Sequence, residues 1–214
     1  MRYLIFSDIH GNLPAFEKML NKEKHAVDKF ICLGDVVNYG PWSQECVEML
    51  AHFEDTVLIK GNHEEYFEEK RCPVKSDLVQ DFFKQSIKNF SAFSQIAKYQ
   101  ESEQLGKYVL QHTINDQYIF ADTAVNVNTN FIIGHSHYQF YKRCPDDHVI
   151  INVGSVGQNR KYIDVISYCI YDQIKDEFSM KNLIYNVDYV INEMKARGYP
   201  DSCTEYYLNK NRFN

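Results

Sequence analysis

The chain has 214 residues, room for one large domain and short for two, and its 44% hydrophobic and 14% aromatic content suits a globular protein with a sizeable core. A formal net charge of −6 argues against the broad basic field that bulk nucleic-acid binding needs, although bound cations do not enter such a count. No apolar stretch approaches the roughly 20 residues of a membrane span, and the first apolar run, Tyr3-Leu4-Ile5-Phe6, is too short for a signal core. The six cysteines are scattered with no C-x-x-C pair, and they are read as free thiols of a reducing, cytoplasmic protein.

In chain order, Tyr3 to Phe6 is predicted as a buried strand. Ala15, Phe16, Met19 and Leu20 then recur at helical spacing after Asn12 and Pro14. A second strand, Lys29 to Leu33, ends at Gly34-Asp35, and a helix from about Ser43 carries Cys46, Val47, Leu50 and Phe53 on one face. A third strand, Thr56 to Ile59, ends at Gly61-Asn62, and the βαβαβ order predicts parallel strands with right-handed crossovers. Between about residues 66 and 104, Leu78, Phe82, Phe83, Ile87, Phe90 and Phe93 mark one or two helices, expected as a cap over one edge of the sheet. Strands are predicted at Tyr108 to Gln111, Tyr118 to Ala121, Phe131 to Ile133, Val149 to Val153, Asp164 to Tyr171 and Phe178 to Tyr185, before a helix from Val187 to about Ala196. No linker or repeat interrupts the chain, so residues 1–214 are expected to form a single domain with a helical insertion at about 66–104.

Ligand sites of open α/β sheets lie beyond the carboxyl ends of the strands. Here those ends deliver Asp8-Ile9-His10, Gly34-Asp35, Gly61-Asn62-His63-Glu64, His112 and Gly134-His135-Ser136-His137. Each alone has an ordinary reading: Asp8, Asn12 or Asn62 as a helix cap, Asp35 as a turn residue, His112 as a core histidine. Five separate recurrences are beyond what caps explain. The i, i+2 spacing of Asp8/His10 and of His135/His137 would point each pair to one face of a strand. Asp, Asn and His together suit borderline divalent metals, and one aspartate can bridge two ions.

These motifs resemble the calcineurin-like metallophosphoesterases, whose pattern runs D-x-H, G-D, G-N-H-[DE], an isolated His and G-H-x-H. The small bacterial and archaeal phosphodiesterase branch is the most similar. It shares the Asp8 to Asn12 opening, the Gly34-Asp35-Val36-Val37-Asn38-Tyr39-Gly40-Pro41 stretch, and the Asn152-Val153-Gly154-Ser155-Val156-Gly157-Gln158-Asn159-Arg160 segment. Val153 and Gln139 stand where that branch favours proline, and Thr113 follows His112 where a small residue is usual.

The resemblance implies an α/β (α+β) fold, a four-layer αββα sandwich of two mixed sheets flanked by helices. It implies one metal among Asp8, His10, Asp35 and His137 and another among Asp35, Asn62, His112 and His135, with Asp35 bridging. The ions would be manganese first, then iron, zinc, nickel or cobalt. Reaction would proceed by in-line attack of a metal-bridging hydroxide on a phosphodiester or phosphomonoester of small-molecule or nucleotide size. Asp35 and His63 are then the catalytic candidates, His63 serving a transition-state charge or the leaving oxygen, with Arg160, Asn62 and Asn12 at the substrate. The alternatives are a catalytically silent scaffold on the same fold, a protein phosphatase or a nuclease. The complete ligand set argues against the first, and the acidic chain against the last.

Overall fold

The central strand β1 (Arg2–Phe6) is apolar on both faces because both faces are covered, and Leu4 and Phe6 point into one core while Tyr3 and Ile5 point into another. In the computed structural model, which describes residues 1–214, β1 leads through α1 (Leu13–Glu23) to β2 (Lys29–Cys32), α2 (Ser43–Ala51) and β3 (Val57–Leu58). The helices α3 (Asn62–Glu68), α4 (Asp77–Ile87) and α5 (Phe93–Ile96) follow. Next come β4 (Ser102–Leu105), β5 (Tyr108–Gln111), β6 (Asn130–Ile133), β7 (Phe140–Arg143), β8 (Val149–Asn152), β9 (Val165–Asp172) and β10 (Glu177–Ile184). The helices α6 (Val187–Ala196) and α7 (Asp201–Leu208) end the chain, and no helix is long and apolar enough to cross a membrane.

Two mixed five-stranded sheets result, ordered β10-β9-β1-β2-β3 and β4-β5-β6-β8-β7. As predicted, β1, β2 and β3 are parallel neighbours. Ile5, Ile31, Leu110, Ile132, Ile151 and Cys169 form the layer between the sheets. On the other side of the first sheet all seven helices contribute to one apolar cluster, and Phe67, Phe82, Phe83, Phe90 and Ile96 of α3–α5 and their connections join it. The outer face of the second sheet is covered by a smaller cluster in which Ile114, Ile119 and Val127 of the β5–β6 connection pack on Ile133 and Ile150. All six cysteines are buried and free.

Three local differences from the sequence reading have physical causes. Tyr118 to Ala121 forms no strand, because Ile119 buries itself on the outer face of the second sheet instead of joining its edge. Two strands were not anticipated, β4 and β7. Both are edge strands with exposed polar positions, paired antiparallel to β5 and β8, so they lack the apolar run of a buried strand.

Candidate metal centre

The parallel strands β1 and β2, and β5 and β6, bring their carboxyl ends to one edge, where the following turns are laced together by main-chain bonds. Asp8 N–H donates to Gly34 O at 2.9 Å, His10 N–H to Asp35 O at 2.9 Å, and Gly134 N–H to His112 O at 3.0 Å. Asp8, His10, Asp35, His135 and His137 all have positive φ, between 50° and 66°. The i, i+2 pairs therefore converge through left-handed turns and not through the pleat of a strand, a conformation that non-glycine residues hold only where surroundings impose it. Glycine is required at two close approaches: a Cβ on Gly61 would collide with the Asp35 carboxylate, and one on Gly134 with Ser7 and Asp8.

The side chains meet in a buried cluster. Three groups of carboxylate and imidazole atoms lie within 4.8 Å of one another: Asp8, His10 and His137; His10, Asp35 and His63; and Asp35, His112 and His135. His137 Nε2 stands 3.2 Å from Asp8 Oδ1 and 3.1 Å from His10 Nε2. Asp35 Oδ2 stands 3.1 Å from His112 Nε2 and 3.9 Å from both His10 Nε2 and His63 Nε2, so it belongs to both halves. His112 Nε2 and His135 Nδ1 are 3.1 Å apart. Each carboxylate is anchored by one oxygen only: Asp8 Oδ2 accepts from His135 N–H at 3.0 Å, and Asp35 Oδ1 from His63 N–H at 2.9 Å.

The remaining atoms fit a cation. His10, His112 and His137 each direct Nδ1 to a main-chain carbonyl, of Val37 (3.2 Å), Leu33 (2.7 Å) and Gln158 (2.7 Å). In the neutral rings Nδ1 then carries the proton, which leaves the Nε2 lone pairs facing the cluster. Asp8 Oδ1 and Asn62 Oδ1 are buried and have no hydrogen-bond partner. Buried oxygen and nitrogen acceptors turned toward one another without donors are costly unless a positive charge sits among them, and this donor set suits divalent metal ions.

Electrostatics agree. Burial raises the Asp8 carboxyl, but His137 outweighs it and brings Asp8 down to about 2. Burial lowers His112, yet Asp35 reverses this and pushes His112 up to about 10, so without a metal a proton on His112 faces the Asp35 carboxylate. Burial, then the repulsion of His112, takes His135 down to about 4. Burial and His137 push His10 well below its ordinary value.

Two residues outside the expected ligand set hold the site in place. Glu64 is fully buried and accepts main-chain N–H bonds from Asp35 (2.8 Å), Val36 (2.8 Å), Val37 (3.2 Å) and Gly61 (2.8 Å), joining the β2 turn to α3. Asn38 fixes His63: its Oδ1 accepts from Tyr39 N–H at 2.8 Å, so its Nδ2 donates to His63 Nδ1 at 2.7 Å. Neutral His63 then carries its proton on Nε2, the atom near Asp35. The Glu in Gly61-Asn62-His63-Glu64 was the only sequence signal for the first, and the Gly34 to Pro41 stretch for the second.

Asn12 is a correction. It is fully buried, accepts from Ala15 N–H at 3.2 Å as the cap of α1, and donates to Gly157 O (2.9 Å) and the Tyr185 hydroxyl (2.8 Å). Both amide hydrogens and its oxygen thus bond within the scaffold, and no part of the side chain is exposed. Arg160 is half-buried, 3.4 Å from the Tyr206 hydroxyl, and its charge acts on Tyr39 and Tyr118, whose rings lie against His10 and His135. Tyr118 was not assigned a role from sequence; it stacks on His135 at 4.2 Å while remaining 58% exposed, so it forms an open rim.

Comparison with known proteins adds to this geometry. A family model described as calcineurin-like phosphoesterase matches residues 1–192. An uncharacterized protein of Methanocaldococcus jannaschii is 28% identical over 218 residues, covering 86% of this chain and 87% of its own. The crystal structure of a metallophosphoesterase from Sphaerobacter thermophilus superposes with a TM-score of 0.82 at 23% identity, over 97% of this chain and 98% of that one. A hypothetical protein from Pyrococcus horikoshii superposes with a TM-score of 0.74 at 12% identity, over 96% and 97%. The two structures share the fold.

Proposed function

Because this chain belongs to the calcineurin-like phosphoesterase family, we propose that it hydrolyses a phosphoric ester at the cluster around Asp35, with two divalent metal ions as cofactors. The observation that carries this reading is the set of buried acceptors with no donor, Asp8 Oδ1 and Asn62 Oδ1, beside three imidazoles whose Nδ1 atoms are committed to carbonyls.

Asp8, His10, Asp35 and His137 would hold one ion, and Asp35, Asn62, His112 and His135 the other. Bound there, the metals would acidify a water molecule and neutralise charge on the phosphoryl oxygens. The chain supplies the rest. Asp35, anchored by His63 N–H through Oδ1, keeps Oδ2 directed at both halves. His63, held as the Nε2–H tautomer by Asn38, donates a hydrogen bond from Nε2 to the charge developing on the departing ester oxygen. Arg160 adds positive charge toward the phosphate, where its planar guanidinium matches two oxygens. Manganese is the first choice of metal, with iron, zinc, nickel or cobalt acceptable to the same donors. The substrate is a small phosphodiester or phosphomonoester, the chain acts as one domain, and its compartment is the cytoplasm.

Hydrolysis of bis- and mono-p-nitrophenyl phosphate by protein loaded with manganese tests the reading. Turnover of at least one ester, abolished by Asp35→Asn, is expected; no turnover of either by fully loaded protein contradicts it.

A further inference from the structure

A cavity of about 510 Å³ opens beside His137, on the flank of the metal centre. Tyr138, Tyr162, Phe213 and Leu183 give it apolar walls, and the Tyr162 and Phe213 rings meet edge to face at 5.5 Å. Tyr138 also meets Phe120 at 5.6 Å. We propose that this cavity receives the ester group that stays on phosphorus when a phosphodiester is cleaved, and that this group is a planar aromatic system of nucleoside size. The inference rests on the hydrolytic reading above.

Size and lining come first. The volume lies in the range of small-molecule sites, and aromatic walls stack on the face of any base. The polar part of the lining is already spent on itself. Asn159 Nδ2 donates to Ser167 Oγ (2.9 Å), Ser167 Oγ to Asn182 Oδ1 (2.7 Å), and Asn182 Nδ2 to Gln139 Oε1 (3.2 Å). Asn159 Oδ1 accepts from Lys161 N–H (2.9 Å) and Tyr162 N–H (3.1 Å). With these amides engaged, the cavity selects a flat ring by shape and discriminates weakly among bases.

Position decides which half of the diester enters. His63, the hydrogen-bond donor to the leaving oxygen, groups with His10 and Asp35, whereas the cavity abuts His137, which is outside that group. The oxygen that departs lies at His63, so the group beside His137 is the one retained. A water oxygen bonds to phosphorus, the phosphorus–oxygen bond to the leaving alcohol breaks, and the leaving oxygen, hydrogen-bonded by His63 Nε2–H, takes up the proton that the water releases. The bond to the aromatic-bearing group is untouched, and the product is its phosphomonoester. Lys161, 5.4 Å from the Tyr162 ring centroid, adds a positive charge at the cavity for that anion.

The test uses two diesters with the same p-nitrophenolate leaving group, one retaining thymidine and one retaining methyl, on metal-loaded full-length protein. The thymidine diester is expected to have a kcat/KM about tenfold or more above the methyl diester, since stacking one base is worth about 1–3 kcal/mol. The double variant Tyr162→Ala/Phe213→Ala should bring that ratio close to one, a comparison made within each protein so that any general loss of rate cancels. Equal rates for the two diesters in the wild type, or an unchanged ratio in the double variant, would overturn the proposal. Saturation-transfer NMR of adenosine with EDTA-stripped protein gives a readout independent of metal. Binding in the wild type that is lost in the double variant supports the cavity assignment; binding absent from the wild type or kept by the variant overturns it. If neither diester is cleaved, the hydrolytic reading fails, and the adenosine result alone judges the cavity.

Discussion

Around Asp8, His10 and His137 the rings are tied down and shut in, whereas around His112 and His135 the holding is uneven. His10 is fully buried, bonded to Val37 O and packed edge-on against Tyr39 and His63 at 4.9 Å each; His137 is bonded to Gln158 O. On the other side His112 is bonded to Leu33 O, but His135 is backed by the exposed ring of Tyr118, and its ring nitrogen contact is to His112 alone. Where the metal is absent, a proton on His112 stands opposite Asp35. With the proposed ions, the first half would be preorganised, and the second would be half-built until an ion displaced that proton, so its ion should be the more exchangeable of the two.

Asp35 spans both halves and its loss should erase the difference between them. Asp35→Asn is expected to lower kcat on the order of 10³-fold and to remove metal from both halves, read by metal analysis and p-nitrophenyl ester hydrolysis. His63→Ala should cost about 10²-fold in kcat with metal content unchanged, and less for p-nitrophenyl esters than for alkyl esters, whose leaving oxygens carry more charge and need the hydrogen bond more. His135→Ala separates the halves. It should weaken one ion by about 10–100-fold and leave the other bound, so stepwise chelation would release one equivalent early; simultaneous loss of both would contradict the asymmetry.

The comparison also has a pH signature. In stripped protein His112 is raised from the ordinary 6.5 to about 10, so its pairing with Asp35 stabilises the fold fully below 6.5 and that contribution is lost as pH rises through 10. Thermal melting of stripped protein should therefore fall across this window, and metal-loaded protein, already without that proton, should not follow. Metal affinity should tighten over the same window, because binding expels a proton. The smallest effect on catalysis belongs to Asn12→Ala, which should destabilise the fold by about 1–2 kcal/mol through the lost cap and buried bonds while leaving kcat nearly unchanged.

Much of the centre was legible because its residues are of types rarely grouped by chance at strand ends: Asp8, His10, Asp35, His135 and His137 all meet in the cluster. The reason given for their convergence was only half right, since left-handed turns, and not strand alternation, aim the pairs. Glu64 reaches Asp35, Val36 and Val37, and Asn38 reaches His63, across 25 to 29 positions, which no local pattern displays. Asn12 sits two residues past His10 and so shares the motif, yet its side chain turns toward α1. In the fold, apolar runs found the inner strands, whereas β4 and β7 took their identity from a neighbour, and Tyr118 to Ala121 lacked one.

The most direct measurement is metal content of the wild type and of Asp35→Asn after equilibration with manganese and removal of free ion. About two equivalents are expected in the wild type and almost none in the variant. A wild-type protein that retains no metal, or a variant that retains as much, would contradict that expectation.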